Sequence, residues 1–253
     1  MYVAAKIAYD GSRFFGFARQ ANVLSVTQAI ENSLKSVGIF SQILAAGRTD
    51  KGVHATGQII SFEMPDFWDL EKLKNELNLK LYPSIFVKRI WLVKKDFHPR
   101  FSAKMREYRY LFNHFSSSVW LNPYISREKL GKGLKVDVHS LNLTLLNDIL
   151  SIFEGEHNFY FFCKSNADTK NYTRTIYKIR LYPYCFLNEK CLVATFLANG
   201  FLYSQIRLIM GAVLACFRGE IELEDLKKQL QCEKKFFWVP ASPNGLYLTK
   251  IFY

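Results

Sequence analysis

The residues best equipped for chemistry lie in one stretch, Gly47-Arg48-Thr49-Asp50-Lys51-Gly52-Val53-His54-Ala55. An acid stands there between two bases, Arg48 and Lys51, with glycines at 47 and 52 and a histidine at 54. An ionised, oriented carboxylate can be a nucleophile, a general base or half of a glycosidase pair. Ile43 to Ala46 and Gly57 to Met64 read as flanking strands, the second alternating Ile60, Phe62 and Met64 with Ser61 and Glu63. The glycines mark a loop that needs unusual backbone angles or close approach to another group. A charged loop on a rigid scaffold is a usual seat of function, although by spacing alone an ordinary polar hairpin explains it at least as well.

A distant charge bears on that choice. Arg207 is the only charged side chain between Lys190 and Arg218, in a helical stretch that is apolar on most sides. A guanidinium stays charged when buried, so it needs either an anionic partner or a route to water. Asp50 is the candidate partner, since a contacting arginine would keep it ionised and fix its orientation. No second carboxylate stands in a comparable motif, which weakens a hydrolase reading. His54, His98 and His157 are scattered without metal-ligand spacing and read as structural. Cysteines 163, 185, 191, 216 and 232 include no Cys-x-x-Cys pair. They read as reduced core thiols of a cytoplasmic protein, with no zinc framework.

Several elements must position these groups. A strand is expected over 3–9, turning at Asp10-Gly11, and a helix over 26–37 behind a Ser25/Gln28 capping box. Further helices are expected over 70–81, 141–153, 201–217 and 221–230. Strands are expected over 86–93, 105–112, 175–183, 191–198 and 246–252. Gly131-Lys132-Gly133 reads as an exposed loop and lacks the third glycine of a dinucleotide site. The order of elements suggests an α+β fold in two halves, 1–102 and 103–253, with helices against antiparallel sheet.

The chain has 253 residues, 49% of them hydrophobic, enough for one large domain or two linked ones. Its 34 Lys and Arg against 22 Asp and Glu give a formal charge of +12, which points to a polyanionic partner. The basic residues concentrate at 86–109, where Lys88, Arg89, Lys94, Lys95, Arg100, Lys104, Arg106 and Arg109 interleave with Trp91, Phe97, Phe101 and Tyr108. Such a mixture suits gripping phosphates and stacking bases, more than a merely solvated antiparallel strand pair. A membrane is not expected: the N-terminus lacks a long apolar core, and Leu208 to Phe217 is too short to cross a bilayer.

Together these residues resemble the TruA family of tRNA pseudouridine synthases. Gly47 to Ala55 matches that family's signature. The resemblance continues through Tyr9-Asp10-Gly11 with Phe14 to Gln20, Phe97 to Lys104, Arg106 to Tyr110, Gly155-Glu156-His157, Gly200-Phe201-Leu202 with Arg207, and Gly245 to Leu248. It implies an enzyme that isomerises uridine in the tRNA anticodon arm without cofactor or metal, usually as a homodimer. It implies two similar α/β-sandwich halves sharing a continuous antiparallel sheet with a basic central cleft. By that analogy Asp50 is the nucleophile, and Tyr108 stacks on the uracil and assists loss of the C5 proton. Arg207 pairs with Asp50, as the charge argument proposes independently. Arg48 is the wedge that helps extract the base, and Lys51, His54, Arg100, Arg106 and Leu246 complete the substrate-binding set. The chain departs from the pattern at Ser204-Gln205-Ile206, Leu208, Asn158 and Phe17-Ala18-Arg19-Gln20. A second class of function, a tRNA-binding or folding module with secondary or lost catalysis, would not require Asp50.

Overall fold

A computed structural model describes residues 1–113, 118–130, 142–164 and 169–253. The Gly131-Lys132-Gly133 loop and the expected helix start at 141 lie outside the described residues. The fold is α+β, with mostly antiparallel strand pairing and five α-helices among the described residues. It divides into two compact units, Met1–Arg106 with Tyr247–Tyr253, and Glu107–Leu246. The expected split into 1–102 and 103–253 differs from this chiefly at the closing strand, which clusters with the first unit.

In the first unit, strand β1 (Tyr2–Tyr9) lies between β3 (His54–Glu63) and β4 (Ile85–Leu92), antiparallel to both. The short β2 (Leu44–Ala45) adds to β3 antiparallel. The closing strand β10 (Leu246–Phe252) runs parallel to β3, placing Tyr247 opposite His54 and Leu248 opposite Ala55. Gly57 allows this approach, because a Cβ there would lie 1.9 Å from the Thr249 carbonyl oxygen. Val3, Ala4, Ala5 and Ile7 are all buried, so both faces of β1 are covered.

Helix α1 (Val26–Lys35) begins at the expected box: the Ser25 hydroxyl accepts from the Gln28 amide N–H, and the Gln28 side chain accepts from the Ser25 N–H. Helix α2 (Leu70–Leu81) is capped by Asp69, which accepts from the Glu71 and Lys72 N–H groups. Leu73, Leu77 and Leu81 recur on its buried face. Its Asn78 amide donates to the Val87 carbonyl at 3.0 Å and accepts from the Val87 N–H at 2.7 Å, fastening α2 to β4.

In the second unit, β5 (Met105–Asn113) is followed in the sheet by β9 (Glu189–Ala198), β8 (Thr173–Phe186) and β7 (Gly155–Asn158). The two-residue β6 (Ser126–Arg127) runs parallel to β5. The expected hairpin is present and longer than its apolar core, turning through Leu187 and Asn188, both with positive φ. Helix α3 spans Leu143–Ser151, α4 Gln205–Phe217 and α5 Leu223–Leu230. Helix α4 was expected from 201. It starts later because Ser204 adopts a left-handed conformation, φ 58°, that a right-handed helix cannot include.

Candidate active site

The loop carrying Asp50 is tied to the first unit from several directions. The Ala46 N–H donates to the Ile59 carbonyl at 2.9 Å. The Gln58 amide, fully buried, donates to the Gly47 carbonyl at 2.7 Å. The Thr49 hydroxyl lies 2.8 Å from the Tyr9 hydroxyl, and the Thr49 carbonyl accepts from the Phe17 N–H at 3.0 Å. Gly16, at φ +98°, makes room for that contact, because a Cβ would meet the same carbonyl at 3.1 Å. The Asp50 carbonyl then accepts from the Val53 N–H at 3.1 Å, across a turn containing Gly52 at φ +82°. Asp50 itself is half-buried, while Arg48 and Lys51 are exposed on either side of it. The Lys51 ammonium sits 4.0 Å over the Phe15 ring, a cation–π contact at the surface.

Two residues expected to bind substrate also make contacts within the first unit. His54 is 2% exposed, stacked at 4.7 Å on Tyr247. Its Nδ1 accepts from the Gly11 N–H at 3.1 Å and lies 3.4 Å from the Asp10 carboxylate. An accepting Nδ1 fixes the tautomer with its proton on Nε2. A Cβ on Gly11 would lie 2.0 Å from the Val53 carbonyl oxygen, so the glycine permits this contact. Arg106 directs its guanidinium to backbone: Nη2 donates to the Ala46 carbonyl at 3.3 Å and to the Arg100 carbonyl at 2.7 Å. His54 and Arg106 thus hold the loop's two shoulders. Arg100 is exposed, its guanidinium 5.7 Å from the Phe101 ring.

Lys88, one of the basic residues of 86–109, donates to the Thr56 carbonyl at 2.8 Å. Burial lowers its ammonium pKa, and the Lys6 charge lowers it further. The registers explain the contact. Pairing shifts between Lys6 and Ile7 against β4, and between Ile7 and Tyr9 against β3, so both neighbours of β1 are irregular at this level.

In the second unit, Tyr108 on β5 is 7% exposed, its ring edge-on to Phe201 with centroids 5.2 Å apart. Leu246 is buried at 5% exposure. Arg207, on the first turn of α4, is half-buried and its Nε donates to the Ala241 carbonyl at 2.9 Å. The Ala241 N–H returns a bond to the Arg207 carbonyl at 2.8 Å. This segment can cross α4 because Gly211 has no side chain; a Cβ there would meet the Val239 carbonyl oxygen at 2.1 Å. Gln229, 1% exposed, clamps the same segment by donating to the Phe237 carbonyl and accepting from the Phe236 and Phe237 N–H groups.

The loop supports Tyr9, Phe17, Gly11 and Gln58 were not singled out as site residues from the sequence. The signal available for three of them was their place in the matching stretches at Tyr9-Asp10-Gly11 and Phe14 to Gln20. Gln58 offered only a polar side chain inside an apolar strand.

An α+β scaffold that fixes a carboxylate-bearing loop from so many sides is the build of an enzyme. A family model described as tRNA pseudouridine synthase matches residues 5–102 and 149–253. A tRNA pseudouridine synthase A of Helicobacter hepaticus is 43% identical over 98% of both chains. One from Campylobacter jejuni is 39% identical over the full length of both. One from Wolinella succinogenes is 40% identical over 98% of this chain and 92% of its own. The chain belongs to the tRNA pseudouridine synthase family.

Proposed function

We infer that Asp50 is the nucleophile with which this member of the family isomerises uridine to pseudouridine in tRNA. The observation that carries the assignment is the loop itself: its one carboxylate is half-buried on a backbone pinned by Phe17, Gln58 and Arg106, with the neighbouring Thr49 hydroxyl held by Tyr9. Pre-positioning of that kind spares the reacting group a reorganisation cost. The net reaction breaks the bond from ribose C1′ to uracil N1 and forms one from C1′ to C5. One proton leaves C5 and one is taken up at N1, so atoms and electrons balance without an oxidant or reductant. Attack by Asp50, on ribose or base, supplies a covalent intermediate that tethers the fragment it attacks, while the site retains the other until the C1′–C5 bond forms.

Tyr108 is assigned to stack on the uracil and assist loss of the C5 proton. Arg207 is assigned as the cation that pairs with Asp50 and orients it. Arg48, exposed beside Asp50, suits a wedge that replaces the extracted base, a step costing about a few kcal/mol of unstacking. We further propose the anticodon arm as the target region, a homodimeric assembly and a cytoplasmic location. Basic charge and exposed aromatics support RNA binding. The decisive experiment treats tRNA transcripts with wild type and Asp50→Ala and maps pseudouridine with a carbodiimide label. Conversion by wild type alone is expected; equal conversion by both would remove Asp50 from the chemistry. Repeating the map on tRNAs with altered anticodon arms tests the target region.

A further inference from the structure

Tyr110 lies two residues beyond Tyr108 on β5 and is fully buried, yet its hydroxyl is surrounded by polar partners. It lies 2.8 Å from the Ser126 hydroxyl, 3.0 Å from the Glu128 carboxylate and 3.1 Å from the Ser242 carbonyl oxygen. Ser126 donates its own proton to Glu128 at 2.5 Å. Ser242 directly follows Ala241, whose carbonyl holds the Arg207 Nε and whose N–H holds the Arg207 carbonyl. The turn after Ser242 is pressed onto the same strands, since a Cβ on Gly245 would meet the Leu111 carbonyl oxygen at 2.1 Å and Ser126 at 3.0 Å. Every link lies within the second unit.

We propose that Tyr110, anchored by Glu128 and Ser126, is a positioning residue that sets the Arg207 guanidinium through the Ala241–Ser242 segment. A phenol suits the task because it is rigid and its proton can bridge a carboxylate and a carbonyl. Burial, reinforced by the Glu128 charge, pushes the Tyr110 hydroxyl well above the usual phenol range, so the donor keeps its proton. The Arg207 charge is near enough to act on that hydroxyl in the opposite sense. The proposal rests on the assignment of Arg207 to the reaction.

The test measures single-turnover pseudouridine formation and tRNA Kd, well below each variant's Tm. Tyr110→Phe, which deletes only the oxygen, should slow the chemical step about tenfold while Kd changes less than about twofold. In an Arg207→Lys background the same change should cause no further loss, because it acts through Arg207. Glu128→Ala should reproduce the defect, and Glu128→Gln, which keeps an acceptor, should restore most of the rate. The Glu128 pair decides the matter if Tyr110→Phe does not fold. A full rate in Tyr110→Phe and Glu128→Ala, with Arg207→Leu inactive, overturns the positioning role alone. An active Arg207→Leu overturns the assignment of Arg207 and the inference with it.

Discussion

Asp50→Asn replaces one carboxylate oxygen by an amide and leaves the main-chain bonds of the loop in place, since those use the carbonyls of Ala46, Gly47, Thr49 and Asp50. Pseudouridine formation should fall by at least ~10³-fold, as expected when a nucleophile is lost. The urea midpoint should fall only by what the lost charge pairing costs; loss of cooperative folding would instead make Asp50 a structural residue. The cysteines give a second test at this scale. Cys191 is fully buried, and burial, with the Cys185 and Glu189 charges, pushes its thiol up to about 12. Iodoacetamide at pH 8 should therefore spare Cys191 and modify exposed Cys185 first, as read by peptide mass spectrometry. Cys163 and Cys191 were legible as core thiols, whereas Cys185 at the far end of β8 was not separable from them by composition. Asp50 stood out because it is charged among glycines. Its supports did not, because the Tyr9 hydroxyl and the Gln58 amide find partners remote in sequence.

At the scale of elements, the features read correctly were those specified locally. Ser25 and Gln28 lie one turn apart and define the start of α1 by their own chemistry, and the spacing of Leu73, Leu77 and Leu81 defines α2. Strand β7 escaped because Gly155-Glu156-His157-Asn158 has no apolar alternation; it exists by pairing with β8. The parallel seat of β10 escaped for a similar reason, since its partner β3 is far away in the chain. Gly57→Ala should show how tightly that seat is made. A new Cβ 1.9 Å from a carbonyl oxygen must push the strands apart, at a cost of about 1–3 kcal/mol or more. Gly38→Ala is the comparison: no atom lies within 4 Å of its Cβ, and only the cost of φ +81° remains, about 1 kcal/mol. Denaturant titration should rank Gly57→Ala as the more damaging; the reverse order would count against the close packing of β3 on β10.

For the whole molecule, the charge of +12 predicts tRNA affinity that falls steeply with salt. The two lysines of the basic stretch should behave differently. Lys94 is exposed, and Lys94→Ala should reduce the slope of log Kd against log salt by about 1. Lys88 has its ammonium on the Thr56 carbonyl, so Lys88→Ala should change the slope less and the midpoint of unfolding more. Equal slopes for both variants would contradict that division. Global stability should also respond to alkali. The folded pKa of Tyr110 is raised, so stability is fully present below about pH 10 and is lost as pH rises beyond it, where the unfolded chain releases the proton first. Urea unfolding between pH 9 and 11 should be less pH-dependent in Tyr110→Phe. Charge, aromatic content and the α+β order were legible at this scale, while the return of the closing strand was not. That return bears on synthesis. The residues of the first unit leave the ribosome in two instalments, with the entire second unit between them. A nascent chain stalled before β10 carries β3 without its parallel neighbour, so the wall behind His54 is closed only after β10 has emerged.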